Sequence, residues 1–137
     1  MSVPLLLDTC AVIWLFNRSR MSDNSRKAIA EAAVNGSLYV SPFSGWEIAT
    51  LVKKGRIALT MSPHAWFAYV AEHPAVNLAP LDYPLLIDSC SLPADALNDP
   101  ADRIMVATAR ALRLAIVTRD RPILEYAQQG HVQGLEC

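Results

Sequence analysis

Four acidic residues, Asp8, Glu47, Asp102 and Asp120, each stand where a strand ends or a helix begins. Each has a local explanation. Asp8 would cap a helix opening near Thr9. Ser44-Gly45-Trp46-Glu47 matches the S-x-x-E capping box, which would occupy Glu47 with a backbone N–H. Asp99 suits a helix N-cap, Pro100 the first position and Asp102 the third, where a carboxylate favours the helix dipole. Asp120 has Arg119 and Arg121 beside it as ready surface partners, a pairing worth little. None of these readings predicts that all four acids fall at one end of the strands. Carboxylates brought together repel, so such a cluster needs a cation to stay ionised. Oxygen donors of this kind select magnesium or manganese over zinc.

The elements that must position the acids follow from the apolar pattern. Val3-Pro4-Leu5-Leu6-Leu7 and Ala115-Ile116-Val117-Thr118 are short continuous apolar runs, the pattern of strands buried on both faces. Asp8 follows the first and Asp120 stands just past the second. A helix is expected over Ala11–Phe16. Another runs from an N-cap at Ser22 to Val34, stopped by Asn35-Gly36. Ser37–Val40 reads as a strand, and Ser41-Pro42 leads into a helix ending at Lys53-Lys54-Gly55-Arg56. Glu47 falls in that helix's first turn. Ser62-Pro63 opens a further helix; Val76–Ala79 suits a third strand and Tyr83–Cys90 a helix. The helix opened by Asp99-Pro100 carries Ile104, Ala107, Ala111 and Leu114 at helical spacing. Pro122–Gln129 makes the last helix and His131–Leu135 an edge strand.

Strands alternating with helices imply an α/β sandwich with a mostly parallel sheet, whose ligand site lies beyond the carboxyl ends of its strands. The four acids would converge there. The 137 residues suit a single domain, 1–137, with one core.

Composition closes off other chemistries. The chain is 53% hydrophobic, yet no run approaches the roughly 18 apolar residues of a membrane span. The first apolar run is cut by Asp8 with no basic residue before it, so no secretory signal and a cytoplasmic location are expected. Cys10, Cys90 and Cys137 form neither a disulfide framework nor a zinc motif; Cys10 is expected to pack as a small apolar residue and Cys137 to be a loose thiol. His64 and His73 are too far apart for an i, i+4 ligand pair, and no GxxxxGK[ST] or GxGxxG loop exists. The net charge of -1 argues against a large non-specific nucleic-acid surface. Without the four acids, however, 12 basic residues face 9 acidic ones.

At these residues the chain resembles the PIN-domain ribonucleases, and among them the VapC-like toxins of bacterial toxin–antitoxin pairs. The matching segments are Leu5–Trp14, Ser44–Ala49, Asn98–Ala107 and Val117–Asp120, in the family's order and spacing. The D-P-x-D-R-x-x-x-A segment followed by T-x-D is the most specific part. One departure is Asn98, where family members often carry a basic residue or histidine.

The resemblance implies a three-layer α/β/α sandwich around a roughly five-stranded sheet. It implies a magnesium- or manganese-dependent endoribonuclease with Asp8, Glu47, Asp102 and Asp120 as the metal site. Thr9 and Thr118 would support that site through their hydroxyls, and Asp99 would be a peripheral acid or helix cap. Lys53, Lys54, Arg56, Arg103, Arg119 and Arg121 are candidate RNA contacts, each equally explicable as solvated surface charge. A cognate VapB-like antitoxin and a homodimer are the expected partners. Trp14, Phe16, Trp46, Trp66 and Phe67 offer apolar surface for a partner helix or, equally, for the core. A metal-dependent phosphatase is a weaker fit, since Asp8-Thr9-Cys10 lacks the second acid of a D-x-D nucleophile motif. A non-catalytic module that kept the fold is disfavoured by intact acids at all four positions.

Overall fold

A computed structural model describes residues 3–137. Five strands form one sheet: β1 (Leu5–Leu7), β2 (Leu38–Val40), β3 (Asn77–Leu78), β4 (Ala115–Thr118) and β5 (Gln133–Glu136). Their order is β3-β2-β1-β4-β5, and every pairing is parallel. Seven helices connect them: α1 (Thr9–Phe16), α2 (Asp23–Val34), α3 (Phe43–Lys53), α4 (Pro63–Ala71), α5 (Tyr83–Asp88), α6 (Pro100–Leu112) and α7 (Arg121–Gln128).

The alternation of the pleat divides the core into two. Leu5, Leu7, Leu38, Val40 and Val117 point to one face, where they meet Val12 of α1, Ile29 of α2, Ile48 of α3 and Trp66 of α4. Leu6 and Ile116 point to the other, against Met105, Val106 and Ala109 of α6 and Ile123 and Tyr126 of α7. The central strands are covered on both sides, which is why their sequences read as unbroken apolar runs. This is the three-layer α/β/α sandwich.

Local chemistry sets most boundaries where the sequence puts them. Ser22 and Ser62 cap α2 and α4 through backbone N–H groups three residues on. Asn35 ends α2, and Gly36 takes the positive φ of 68° that an L side chain adopts reluctantly. The start of α3 differs from expectation. Ser44 lies inside the helix, and the hydroxyl that accepts a terminal N–H, that of Phe43, belongs to Ser41. No capping box forms, and Glu47 stands in the second turn with its carboxylate available for other work.

Candidate active site

The carboxyl ends of β1 and β4 lie side by side, with Leu7 opposite Val117. The backbone N–H of Asp8 donates to the Val117 carbonyl at 3.0 Å, extending the ladder one residue past β1. Asp8 is therefore fixed where the sheet opens, with only 9% of its surface exposed. Its carboxylate accepts from the Thr9 N–H at 2.9 Å and from the Thr118 hydroxyl at 2.6 Å. Burial raises its pKa, the Thr118 and Thr9 bonds pull it back, and the charge of Asp120 raises it again.

Thr118 ties two acids together. Its Oγ1 donates to Asp8 and accepts the N–H of Asp120 at 2.9 Å. Asp120 in turn caps α7 by accepting the Ile123 N–H at 3.2 Å. Thr9 orients the third acid: its hydroxyl donates to Glu47 Oε1 across the gap between α1 and α3. That single proton being used, the Ser44 hydroxyl is the donor in its 2.9 Å contact with Thr9. Glu47 is raised by burial, lowered by Thr9, and raised by Asp8, Asp99 and Asp120.

Asp102 projects from the first turn of α6, which Asp99 caps through the Ala101 N–H at 2.9 Å. The Asp102 carboxyl is pushed up to about 8. Burial contributes most, followed by the charges of Asp120, Asp99 and Asp8 and by a hydrogen bond shared with Asp120. The four predicted acids thus feel one another electrostatically, and Asp99 acts on two of them as a peripheral charge.

Neighbouring arginines leave this charge uncompensated. Arg103 donates to the Leu97 and Asn98 carbonyls at 3.0 and 2.9 Å. Arg119 donates to the Cys137 carbonyl at 2.6 Å and lies 3.9 Å from the Trp14 ring centroid. Arg121 faces Glu136 at 3.9 Å. Lys53, Lys54 and Arg56 lie exposed at the far end of α3, six or more residues beyond Glu47.

The donor set is all oxygen, and a hard divalent cation is the charge that would relieve the raised carboxyls. Among the described residues, no three His, Cys, Asp or Glu side chains are arranged to hold a metal ion as they stand. A proton on the raised Asp102 carboxyl would compete with any cation bound there.

Two neighbours of the site escape a sequence reading. Ser44 is fully buried and reaches Thr9 rather than a helix end. Cys137 is buried rather than loose: its N–H donates to the Thr118 carbonyl at 3.2 Å, and its thiol and that of Cys10 shift each other's pKa in opposite directions. Only the pairing of β5 with β4 brings residue 137 here, and nothing local in the sequence announces it. The aromatic rings divide as well. Trp66 is core, Trp14, Phe16 and Phe67 pack partly buried against it, and Trp46 is 62% exposed.

The pattern of the PIN domain matches residues 5–128. Ribonuclease VapC22 of Mycobacterium tuberculosis (strain ATCC 25618 / H37Rv) is 31% identical over 121 residues, 88% of this chain and 89% of that one. Among solved structures, VapBC2 from Rickettsia felis, bound to a DNA fragment from their promoter, superposes with a TM-score of 0.68 at 12% identity. That superposition covers 96% of this chain and 97% of the other. FitAcB from Neisseria gonorrhoeae gives a TM-score of 0.65 at 18% identity over 96% of each chain. The sheet order, the paired ends of β1 and β4 and the match across nearly all of the sequence agree: this chain belongs to the PIN-domain family.

Proposed function

We propose that this chain is a magnesium- or manganese-dependent endoribonuclease of the VapC kind, hydrolysing RNA phosphodiester bonds at Asp8, Glu47, Asp102 and Asp120. The observation that carries the reading is the set of raised carboxyls at one sheet end, uncompensated by any neighbouring guanidinium. A scaffold that only needed caps would not bury them together, because each added like charge is costly there. The 31% identity to a ribonuclease supplies the substrate class.

Asp8 and Asp102 would be the direct ligands, with Glu47 and Asp120 completing the shell or orienting the attacking water. A divalent ion held by these carboxylates would polarise the attacking water and offset the charge on the departing oxygen. The protein's own part is orientation. Thr118 fixes the Asp8 oxygen on the β4 side, and Thr9 aims Glu47 Oε1 into the site. Glu47, oriented by the Thr9 hydroxyl, would be the group that takes a proton from the attacking water.

Partners follow from the same reading. A groove of about 580 Å³ lies between α3 and α4, lined by Pro42, Gly45, Trp46, Ala49 and Phe67. The Trp46 ring stacks on Phe43 with centroids 5.3 Å apart. This apolar face suits a VapB-like antitoxin helix, and the assembly is read as a homodimer of the single domain 1–137, acting in the cytoplasm. No described helix is long and apolar enough to cross a membrane.

The test is cleavage of structured RNA with magnesium or manganese and with EDTA, beside Asp8→Asn. Cleavage that needs the ion and disappears in the variant is expected; cleavage indifferent to both would overturn the reading. Co-expression with the product of an adjacent small gene should give a complex in which cleavage is suppressed. Size-exclusion chromatography with light scattering checks the dimer.

A further inference from the structure

A second concavity, about 920 Å³, opens between the end of α6, the outer side of α7 and β5, and it is basic. Arg110, Arg113 and Arg121 line it together with His131, and Glu136 is the one acid among its described lining residues. All three arginines are exposed, unlike Arg103, which is partly buried against backbone carbonyls. Arg110 ties the loop before β5 by donating to the His131 carbonyl. Arg113 closes α6 in the left-handed conformation, φ 58° and ψ 49°, so the chain turns there.

The register sets the direction of this groove. At one end Glu136 pairs with Thr118, the residue that holds Asp8, and Arg121 directly follows Asp120. At the other end Gln133 pairs with Ala115, two residues after Arg113. The groove therefore starts beside the acids and runs along β5 towards the opposite end of the sheet. From Asp102 to Arg113 along α6 is about 16 Å at 1.5 Å per residue. That length holds several phosphates at the about 3.4 Å per nucleotide of a stacked strand.

We propose that the α6–α7–β5 groove carries the phosphate backbone of single-stranded RNA flanking the cleaved bond, with Arg113, Arg110 and Arg121 as its contacts. This rests on the ribonuclease reading. The groove presents guanidinium groups and a single ring, the partly buried His131 imidazole, which already packs on Tyr126 with centroids 4.7 Å apart. Recognition is then of phosphate and blind to sequence. It also resolves a charge conflict, since four acids alone would repel a polyanion and the adjoining arginines supply the attraction.

The experiment measures binding apart from cleavage. In an Asp8→Asn background with magnesium, fluorescence anisotropy of a labelled single-stranded RNA of about a dozen nucleotides is compared across groove variants. Arg113→Asn keeps a residue that tolerates the left-handed turn. It should weaken binding about five-fold and lower the slope of log K against log salt by about 0.7, the share of one phosphate contact on a single strand. Arg110→Gln should act likewise, and Glu136→Gln, which removes the opposing charge, should tighten binding about two-fold. The losses should match for U-rich and A-rich strands. Unchanged affinity and salt slope in the arginine variants, with thermal melting intact, would overturn the proposal. So would arginine-dependent capture of polyglutamate without RNA binding, which would make the groove a site for an acidic protein segment. Arginine-dependent RNA binding by a chain whose unmutated form cleaves no RNA would support the groove while removing the nuclease.

Discussion

Helix α6 carries the two charged regions of this molecule at its two ends, and they are built differently. At its N-terminus Asp99 and Asp102 stand with Asp8 and Asp120; in its last turn and at its cap stand Arg110 and Arg113. Both placements satisfy the helix dipole, so dipole chemistry alone explains neither as a site. What separates them is solvent. The arginines are exposed and cost little to keep charged, whereas Asp8 is buried and Asp102 is half-buried, enough that its carboxyl is pushed up to about 8. A fold retains such a carboxyl only against a continuing electrostatic cost, which makes the acidic end the better candidate for chemistry and the basic end for attraction.

The largest expected effect comes from breaking the acidic end. Asp8→Asn keeps the shape and removes the charge, and cleavage should fall by about 10³-fold or more, the several kcal/mol a metal site contributes at 1.36 kcal/mol per tenfold. The readout is initial rate on a labelled RNA at saturating magnesium. Thr118→Val comes next. It leaves Asp8 without its 2.6 Å donor and should weaken manganese binding by about 10- to 100-fold, measured by calorimetry, the usual loss for a residue that orients a ligand. Loss of cleavage with metal affinity unchanged in that variant would mean that Thr118 serves the reaction and not the ion.

Most of the acidic end was legible in the sequence because each acid sits at a boundary that local chemistry defines. Asp99-Pro100 opens a helix and so places Asp102; the run Ala115–Thr118 ends a strand and so places Asp120. Glu47 was harder, since S-x-x-E reads as a cap. Only the tertiary contact of α1 with α3 reveals that Ser44 and Glu47 both turn to Thr9. The basic groove and the Cys10–Cys137 contact were illegible for the same reason. They depend on β5 pairing with β4 and passing under α7, where a Cβ on Gly134 would come within 3.0 Å of the Ala127 Cβ. No local pattern encodes that approach.

The raised carboxyls also fix a pH dependence. Asp102 in the folded chain binds a proton up to about pH 8, whereas the unfolded chain releases it near 3.8. Between those values the folded state holds more protons, so stability in EDTA should fall as pH rises from about 4 to about 8 and level off above. Magnesium should flatten the profile by replacing the proton, and its apparent affinity should rise with pH over the same window. Asp102→Asn should melt higher than the unmutated chain in EDTA at pH 8 and gain nothing from magnesium. Scanning calorimetry across pH, with and without the ion, reads all three.

The smallest effects test whether helix capping and site orientation are separable on α3, where two serines three residues apart do different work. The Ser41 hydroxyl accepts the Phe43 N–H at 3.0 Å and serves the helix; the Ser44 hydroxyl meets Thr9 at 2.9 Å and serves Glu47. Ser41→Ala should cost about 1 kcal/mol of stability, the loss of its hydrogen bond to the Phe43 N–H at the start of the helix, with manganese affinity unchanged. Ser44→Ala removes a donor to a buried hydroxyl, and a hydrogen bond of about 1 kcal/mol corresponds to roughly five-fold in cleavage rate if Thr9 then aims Glu47 less well. Denaturant melts and RNA-cleavage rates on both variants give a two-by-two comparison. If Ser44→Ala lowers stability as Ser41→Ala does and leaves the rate untouched, Ser44 and Thr9 belong to the scaffold, and the placement of Glu47 rests on α3 alone.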